Sequence, residues 1–193
     1  MERSSFDPVS DVAALMRGFR GSWAIAGGWA LDLFLGRVSS THEDVDVAIL
    51  RRDQAEIRAH LSDWEFVKIA WGRWGPWLVG ERLELPVHEV LAHRTGGAPA
   101  DLEFLLNEAA GERWIFRRDS RITSPLSKVE MRTASGIPFF VPEIVLLYKA
   151  KRPGTKDEVD FDAATPMLEP QRRAWLRDAL DTCHPGHPWI RQL

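Results

Sequence analysis

The sequence predicts a mixed α/β fold, in which a mixed β-sheet is flanked by helices and a small helical region follows at the C-terminus. From residue 23 to residue 141, apolar runs of strand length alternate with segments whose apolar residues recur at helical spacing. From Pro142 onward the pattern is helical alone. With 193 residues, of which 45% are hydrophobic, the chain is long enough for one substantial core. We therefore expect a core at residues 1–141 and a helical region at residues 142–193 packed on it.

The charge and the cysteine content exclude several classes of protein. The net charge of −3 offers no basic field to a long nucleic acid, which argues against a polymerase and for a small substrate. Cys183 is the single cysteine, so neither a disulfide framework nor a cysteine-based zinc site is predicted, and a reducing cytoplasm fits. The N-terminus lacks the pattern of a signal peptide, and no apolar run approaches ~18 residues, so no membrane partner is expected.

The stretch from Trp23 to Ile49 organises the rest of the chain. An amphipathic helix at residues 11–19 precedes it. Residues 23–26 form an apolar run that predicts a strand, and residues 29–35 show helical spacing, with Gly27 and Gly28 between them. Two glycines at the start of a helix leave backbone N–H groups uncovered beside the positive end of the helix dipole. This arrangement predicts a phosphate-binding turn.

Two aspartates stand at the head of the next predicted strand, residues 45–50. Asp44 and Asp46 are two positions apart, so in a strand they point to the same side, while Val45 and Val47 point into the core. Two carboxylates that close raise each other's pKa unless a cation lies between them. Hard oxygen ligands select Mg²⁺ or Mn²⁺. Together with the glycine turn, the pair predicts a site for a metal–nucleoside triphosphate.

The remaining segments supply further elements of the sheet and its helices. Asp101 and Glu103 share one face of a predicted strand. Arg117 and Arg118 are interpreted as a solvated pair of charges. The other segments are a helix at 51–61, strands at 64–70, 87–92, 101–106 and 137–141, short strands or turns at 114–116 and 121–123, a turn at 131–136, and helices at 143–151, from 155, and at 171–182.

The segment from Trp71 to Trp77 is dense in tryptophan and glycine. It is interpreted as a hairpin connection or as a mobile rim of the pocket. Aromatic walls suit stacking on a base or another flat ligand, although a hydrophobic plug fits the composition as well. An acidic rim would suit a cationic ligand, and its candidates are Glu81, Glu84, Glu89 and Glu108.

The string GGWALDLFLGR…THEDVDVAI resembles the nucleotidyltransferase superfamily that includes DNA polymerase beta, and within it the aminoglycoside 2''-adenylyltransferase and lincosamide nucleotidyltransferase branch. The resemblance implies a nucleotidyltransferase core with Mg²⁺ or Mn²⁺ as cofactor and ATP or another nucleoside triphosphate as donor. It implies metal ligands at Asp44, Asp46 and Asp101, and a catalytic base at Asp101 or Glu103, of which Asp101 is favoured. The residues that it places beside the nucleotide are Gly27, Gly28, Trp29, Arg37, His42, Lys149 and Lys156.

The resemblance also implies the reaction. A nucleoside monophosphate, AMP being the expected one, would pass to a hydroxyl group of a small molecule such as an aminoglycoside or a lincosamide. Two alternatives stay open, which are a toxin- or antitoxin-type nucleotidyltransferase acting on RNA or protein, and a non-catalytic nucleotide-binding module. The protein is expected to be a cytoplasmic monomer or homodimer.

Overall fold

The computed structural model describes residues 5–193. Within these residues the helices are α1 (Asp7–Leu15), α2 (Gly27–Leu35), α3 (Gln54–His60), α4 (Pro142–Lys149), α5 (Thr155–Ala164) and α6 (Pro170–Cys183). The strands are β1 (Trp23–Ile25), β2 (Asp46–Leu50), β3 (Glu65–Ala70), β4 (Arg73–Pro76), β5 (Glu89–His93), β6 (Asp101–Ala110), β7 (Arg113–Ile115), β8 (Thr123–Pro125), β9 (Glu130–Arg132) and β10 (Pro138–Phe140).

One mixed sheet holds the molecule together. Its strands follow the order β4-β3-β5-β6-β2-β1-β10-β9, and β7 and β8 extend from the far end of β6. The pairs β2–β6 and β1–β10 are parallel, and the other pairs are antiparallel. The predicted mixed α/β architecture is therefore confirmed.

The C-terminal helices pack on one another and on α2. Phe161 of α5 stacks on Trp189 with ring centroids 4.2 Å apart. An ion pair of 2.5 Å joins Glu143 of α4 to Arg172 of α6. Helix α4 begins at Pro142, where the sequence places the start of the helical region, and the division into two regions stays a prediction.

The two faces of the sheet differ between β6 and β4. One face is core, because alternate side chains such as Phe66, Val90 and Phe104 are at most 5% exposed. On the opposite face, the side chains of β3, β5 and β6 are only partly buried; this open face comprises Val67, Ile69, Glu89, Leu91, Glu103 and Leu105. A sheet with one covered and one open face offers a platform for a ligand.

The tryptophan-rich segment forms a hairpin, which confirms that interpretation. Strands β3 and β4 pair through Ala70 and Arg73, and Trp71 and Gly72 form the turn between them. Both turn residues have positive φ angles, of 54° and 70°, as a tight hairpin turn requires. In the part of the chain from residue 5 onward, no helix combines the length and the apolar character that crossing a membrane requires.

Candidate active site

A cavity of about 690 Å³ opens where α2, α4 and α5 meet the sheet. The glycine turn and the loop before β2 form one side, and the open face of β5 and β6 forms another. Its lining includes these predicted site residues: Gly27, Gly28, Trp29, His42, Asp44, Asp46, Glu103, Lys149 and Lys156. Sequence positions more than 100 residues apart are thus brought to one place.

The glycine turn is fixed directly against Asp46. The N–H group of Ala26 donates to the carbonyl oxygen of Asp46 at 2.8 Å. Gly27 has a φ angle of +57°, and a Cβ atom there would lie 1.7 Å from Oδ2 of Asp46. Any side chain would collide with this carboxylate and strain the backbone, so the position requires glycine.

A buried aspartate holds the loop that covers the glycine turn. Asp32 is fully buried, and its Oδ1 accepts hydrogen bonds from the backbone N–H of Ser39 at 3.0 Å and from the Ser39 hydroxyl at 2.5 Å. Its Oδ2 lies 2.6 Å from Nε2 of His42. The His42 ring also packs on the indole of Trp29, with centroids 4.4 Å apart. These contacts hold His42 over Gly28, where a Cβ atom would lie 2.5 Å from its Cε1.

Three carboxylates gather on the face of the sheet that lines the cavity. Asp46 of β2 pairs in register with Glu103 of β6, so the two side chains point the same way. Glu89 of β5 lies on the same face and lines the same cavity. Burial, and then the charge of Asp44, raise the pKa of Asp46 to about 6. Burial, and then the charges of Asp46 and Glu89, raise the pKa of Glu103 to about 8.

Asp101 is not brought into this cavity. It lies two positions before Glu103 at the outer end of β6, and its side chain is 72% exposed. Its Oδ1 lies 2.7 Å from Nδ1 of His93 on the neighbouring strand. Of the two predicted carboxylates of this strand, the structure therefore brings Glu103 beside Asp46 and leaves Asp101 outside.

Basic side chains of α4 and α5 also line the cavity. Lys149 contacts Asp157 at 2.6 Å and Asp160 at 3.0 Å. Burial lowers the pKa of Lys149, but the hydrogen bonds that it donates to these two aspartates outweigh this effect and raise the pKa overall. Lys156 donates to the carbonyl oxygen of Thr41 at 3.1 Å and so ties α5 to the loop before β2. Both predicted lysines thus line the cavity.

Arg117 and Arg118, which the sequence interpretation treats as a solvated pair, both line the cavity; Arg118 is exposed, whereas Arg117 is partly buried. Arg118 donates to the carbonyl oxygen of Tyr148 at 2.7 Å, and both guanidinium groups lie over the Tyr148 ring, at 5.5 and 5.2 Å from its centroid. Burial lowers the pKa of each. The sequence signal that could have indicated this is their position directly after Phe116, a fully buried aromatic residue.

Arg37 and most of the glutamates considered for an acidic rim lie outside the cavity. Arg37 is exposed and does not line the cavity. Of the four glutamates considered for an acidic rim, only Glu89 faces the cavity, because Glu81, Glu84 and Glu108 pair with Lys68, Arg82 and Arg51. Glu89 is thus a functional candidate that the sequence could not separate from the other three.

The donor set suits a hard cation. Among residues 5–193, no group of three or more His, Cys, Asp or Glu side chains is arranged as a complete metal site. Mg²⁺ usually binds to one or two carboxylates and completes its shell with substrate phosphates and water. Asp44 and Asp46 fit this requirement, because the charge of Asp44 raises the pKa of Asp46 and a divalent cation would relieve that repulsion.

Comparisons with known proteins agree with this geometry. Residues 8–77 match the family model described as aminoglycoside-2''-adenylyltransferase. The crystal structure of ANT(2")-Ia in complex with adenylyl-2"-tobramycin is 17% identical, with a TM-score of 0.60 over 93% of this chain and 99% of that one. The lincomycin-bound lincosamide adenylyltransferase LnuA is 12% identical, with a TM-score of 0.59 over 86% and 100%. None of the curated proteins compared with the chain matches it.

The fold and the family match together define a nucleotidyltransferase. The fold class and the enzyme class predicted from the sequence are thereby confirmed. More particularly, the chain resembles the branch of the aminoglycoside 2''-adenylyltransferases and the lincosamide adenylyltransferases, as its glycine and aspartate motifs indicated.

Proposed function

We propose that this protein transfers a nucleoside monophosphate, AMP the expected one, from a nucleoside triphosphate to a hydroxyl group of an aminoglycoside or lincosamide antibiotic. The observation that carries the proposal is the position of Asp46, which has the glycine turn on one side and Glu103 in register on the other. Phosphate-binding N–H groups and a cluster of carboxylates thus meet in one cavity. ATP use and antibiotic inactivation both suit a cytoplasmic enzyme.

The triphosphate would lie against the glycine turn and the two lysines of the cavity. The N-terminus of α2 directs free N–H groups and the positive end of its dipole to this place. Lys149 and Lys156 line the same cavity, and His42 covers the turn. These groups would hold the β- and γ-phosphates while the α-phosphorus faces Asp46 and Glu103.

Asp44 and Asp46 would hold Mg²⁺ or Mn²⁺. When bound there, the ion supplies neutralisation of the phosphate charge and acidification of the attacking hydroxyl. Asp46 is fixed for this role because its backbone carbonyl accepts from Ala26 and its carboxylate abuts Gly27. Positioning and charge neutralisation account for most of the catalysis in such phosphoryl chemistry.

Glu103 is the proposed general base, in preference to Asp101. The acceptor oxygen forms a bond to the α-phosphorus, the bond from that phosphorus to the pyrophosphate oxygen breaks, and the hydroxyl proton passes to the Glu103 carboxylate. Its burial beside Asp46 and Glu89 raises its pKa to about 8, so in its ionised form it is a stronger base than a solvated glutamate. Asp101 is two positions away and engaged by His93.

The proposed acceptor follows from the relatives. Their structures contain adenylyl-2"-tobramycin in one case and lincomycin in the other. A net charge of −3 also suits a small cationic acceptor better than RNA.

A label-transfer assay tests the proposal. The protein is incubated with Mg²⁺ and ATP labelled at either the α- or the γ-phosphate, with separate samples of aminoglycosides, lincosamides, RNA and protein. We expect label from α-labelled ATP alone to enter an aminoglycoside or a lincosamide, and Asp46→Asn to abolish this transfer. Transfer of the γ-label would indicate a kinase, and labelling of RNA or protein alone would contradict the proposed acceptor.

A further inference from the structure

The open face of the sheet continues beyond the cavity. Glu89 of β5 lies directly opposite Ile69 of β3, and Ile69 lies directly opposite Trp74 of β4. Residues that stand opposite each other in an antiparallel pair point to the same face. Trp74 therefore projects from the same face as Glu89, two strands further out.

This outer part of the face is accessible and mainly apolar. Val67, Ile69 and Leu91 are partly exposed, and Trp74 is 67% exposed. In the described part of the chain the helices α2, α4 and α5 stand at the other end, around Asp46. Strands lie ~4.8 Å apart, so Glu89 and Trp74 are separated by ~10 Å across the sheet. A ligand of several rings can span that distance.

The two ends of this surface differ in chemistry. Glu89 supplies a carboxylate beside the proposed base Glu103. Trp74 supplies a large ring whose electron-rich face attracts C–H groups and ammonium groups. Lys149 and Lys156 belong to α4 and α5, and Arg117 and Arg118 follow β7 and lie over the Tyr148 ring, so none of the basic side chains of the cavity belongs to β3, β4 or β5. A ligand that crosses from Glu89 to Trp74 thus meets an anion and then an aromatic platform.

We propose that Glu89 and Trp74 form the acceptor subsite and that it binds a polycationic amino sugar of several rings. The inference rests on the proposed function, because it assumes that the cavity itself holds the nucleotide. A hydroxyl of the innermost ring would face Glu103, an ammonium group would pair with Glu89, and an outer ring would stack on Trp74. A lincosamide has one amine and would make fewer of these contacts.

The subsite is tested by calorimetry and kinetics on the parent and on two tryptophan variants. Tobramycin is the probe, in the presence of Mg²⁺ and a non-hydrolysable ATP analogue. Trp74→Ala is expected to weaken tobramycin binding and to raise its KM by about tenfold, with kcat and the affinity for the analogue nearly unchanged. The matched control is Trp71→Ala, since Trp71 is 84% exposed in the hairpin turn and has no partner in the strand register.

A second variant tests the charged end. Glu89→Gln is expected to weaken tobramycin more than lincomycin, because it removes a carboxylate and preserves the size of the side chain. Equal losses for both ligands would overturn the assignment of Glu89.

Other outcomes also separate the hypotheses. Unchanged tobramycin affinity in Trp74→Ala, equal losses in both tryptophan variants, or no tobramycin binding by the parent would overturn the subsite. A parent that is dimeric by light scattering and becomes monomeric on Trp74→Ala would show that a second copy covers this face, which also overturns it. Tobramycin binding that depends on Trp74 without any label transfer would count against the proposed reaction alone.

Discussion

Oδ2 of Asp32 lies 2.6 Å from Nε2 of His42, and this contact fixes the loop over the glycine turn. Asp32 is fully buried, so its carboxylate must be stabilised by the hydrogen-bond partners that this loop provides. The pair connects the stability of the fold with the shape of the nucleotide site.

Asp32→Ala and His42→Gln should separate these two roles. Asp32→Ala leaves donors of Ser39 and His42 unpaired and is expected to lower the free energy of unfolding by about 3 kcal/mol, with a loss of Mg·ATP affinity. His42→Gln keeps a donor for Asp32 and should retain most of the stability while weakening Mg·ATP binding by about tenfold. Urea unfolding and calorimetry measure the two quantities. If His42→Gln binds Mg·ATP as the parent does, His42 has no part in the nucleotide site.

Gly27→Ala should be far more damaging than an alanine at another glycine of positive φ. Its methyl group would collide with the Asp46 carboxylate, so we expect loss of Mg·ATP binding and a destabilisation of about 3 kcal/mol. Gly72→Ala is the control, because Gly72 has a φ angle of +70° with nothing within 4 Å of the added atom. It should cost about 1 kcal/mol and leave nucleotide binding intact. Equal effects of the two variants would show that strain alone, without the collision, explains Gly27.

The paired aspartates should be required for metal-dependent nucleotide binding. Asp44→Asn with Asp46→Asn is expected to abolish the Mg²⁺-dependent part of ATP binding in calorimetry, because two oxygen ligands lose their charge. Asp101→Asn serves as the matched control, since its carboxylate pairs with His93 outside the cavity. Parent-like Mg·ATP binding by the double variant would refute the proposed metal site, and a loss in the control would return Asp101 to it.

Glu103→Gln should abolish activity and yet stabilise the protein in EDTA at alkaline pH. Burial, with the charges of Asp46 and Glu89, raises the pKa of Glu103 from 4.5 to about 8. The folded state therefore binds this proton more tightly than the unfolded state, and stability is lost as the pH rises from about 4.5 through about 8. Glutamine removes that loss. Urea titrations at pH 5 and pH 9 should show a smaller decline for Glu103→Gln than for the parent, and equal declines would contradict the assignment.

The local motifs of the site could be predicted from the sequence because they depend on short-range geometry. A strand, two glycines and a helix form a turn wherever they occur. Asp44 and Asp46 both line the cavity because they are only two positions apart, although β2 begins at Asp46 and Asp44 precedes it. The choice between Asp101 and Glu103 could not be made in this way. Both point to one face of β6, and only the pairing of β6 with β2 places Glu103 beside Asp46.

The remaining surprises also depend on tertiary contacts. In the sequence, Arg117 and Arg118 cannot be distinguished from a solvated pair of charges. In the structure both guanidinium groups lie over the ring of Tyr148, about 30 positions later in the chain, and line the cavity. Arg37 follows the helix that begins at the glycine turn, but the chain leaves α2 through Gly36 in a left-handed conformation and Arg37 stays exposed. The order of residue types along the chain does not indicate which of these side chains reach the cavity.

The direct pairing of β2 with β6 also determines which parts of the sequence can vary between related proteins without moving the carboxylates. Residues 51–100 leave the centre of the sheet, build its outer strands and return, yet Asp46 and Glu103 meet through the strand register alone. Length differences in the β3–β4 hairpin would therefore leave the spacing of the two carboxylates intact. Exchange of this hairpin between related proteins offers a route to altered ligand preference in which the chemical centre is inherited unchanged.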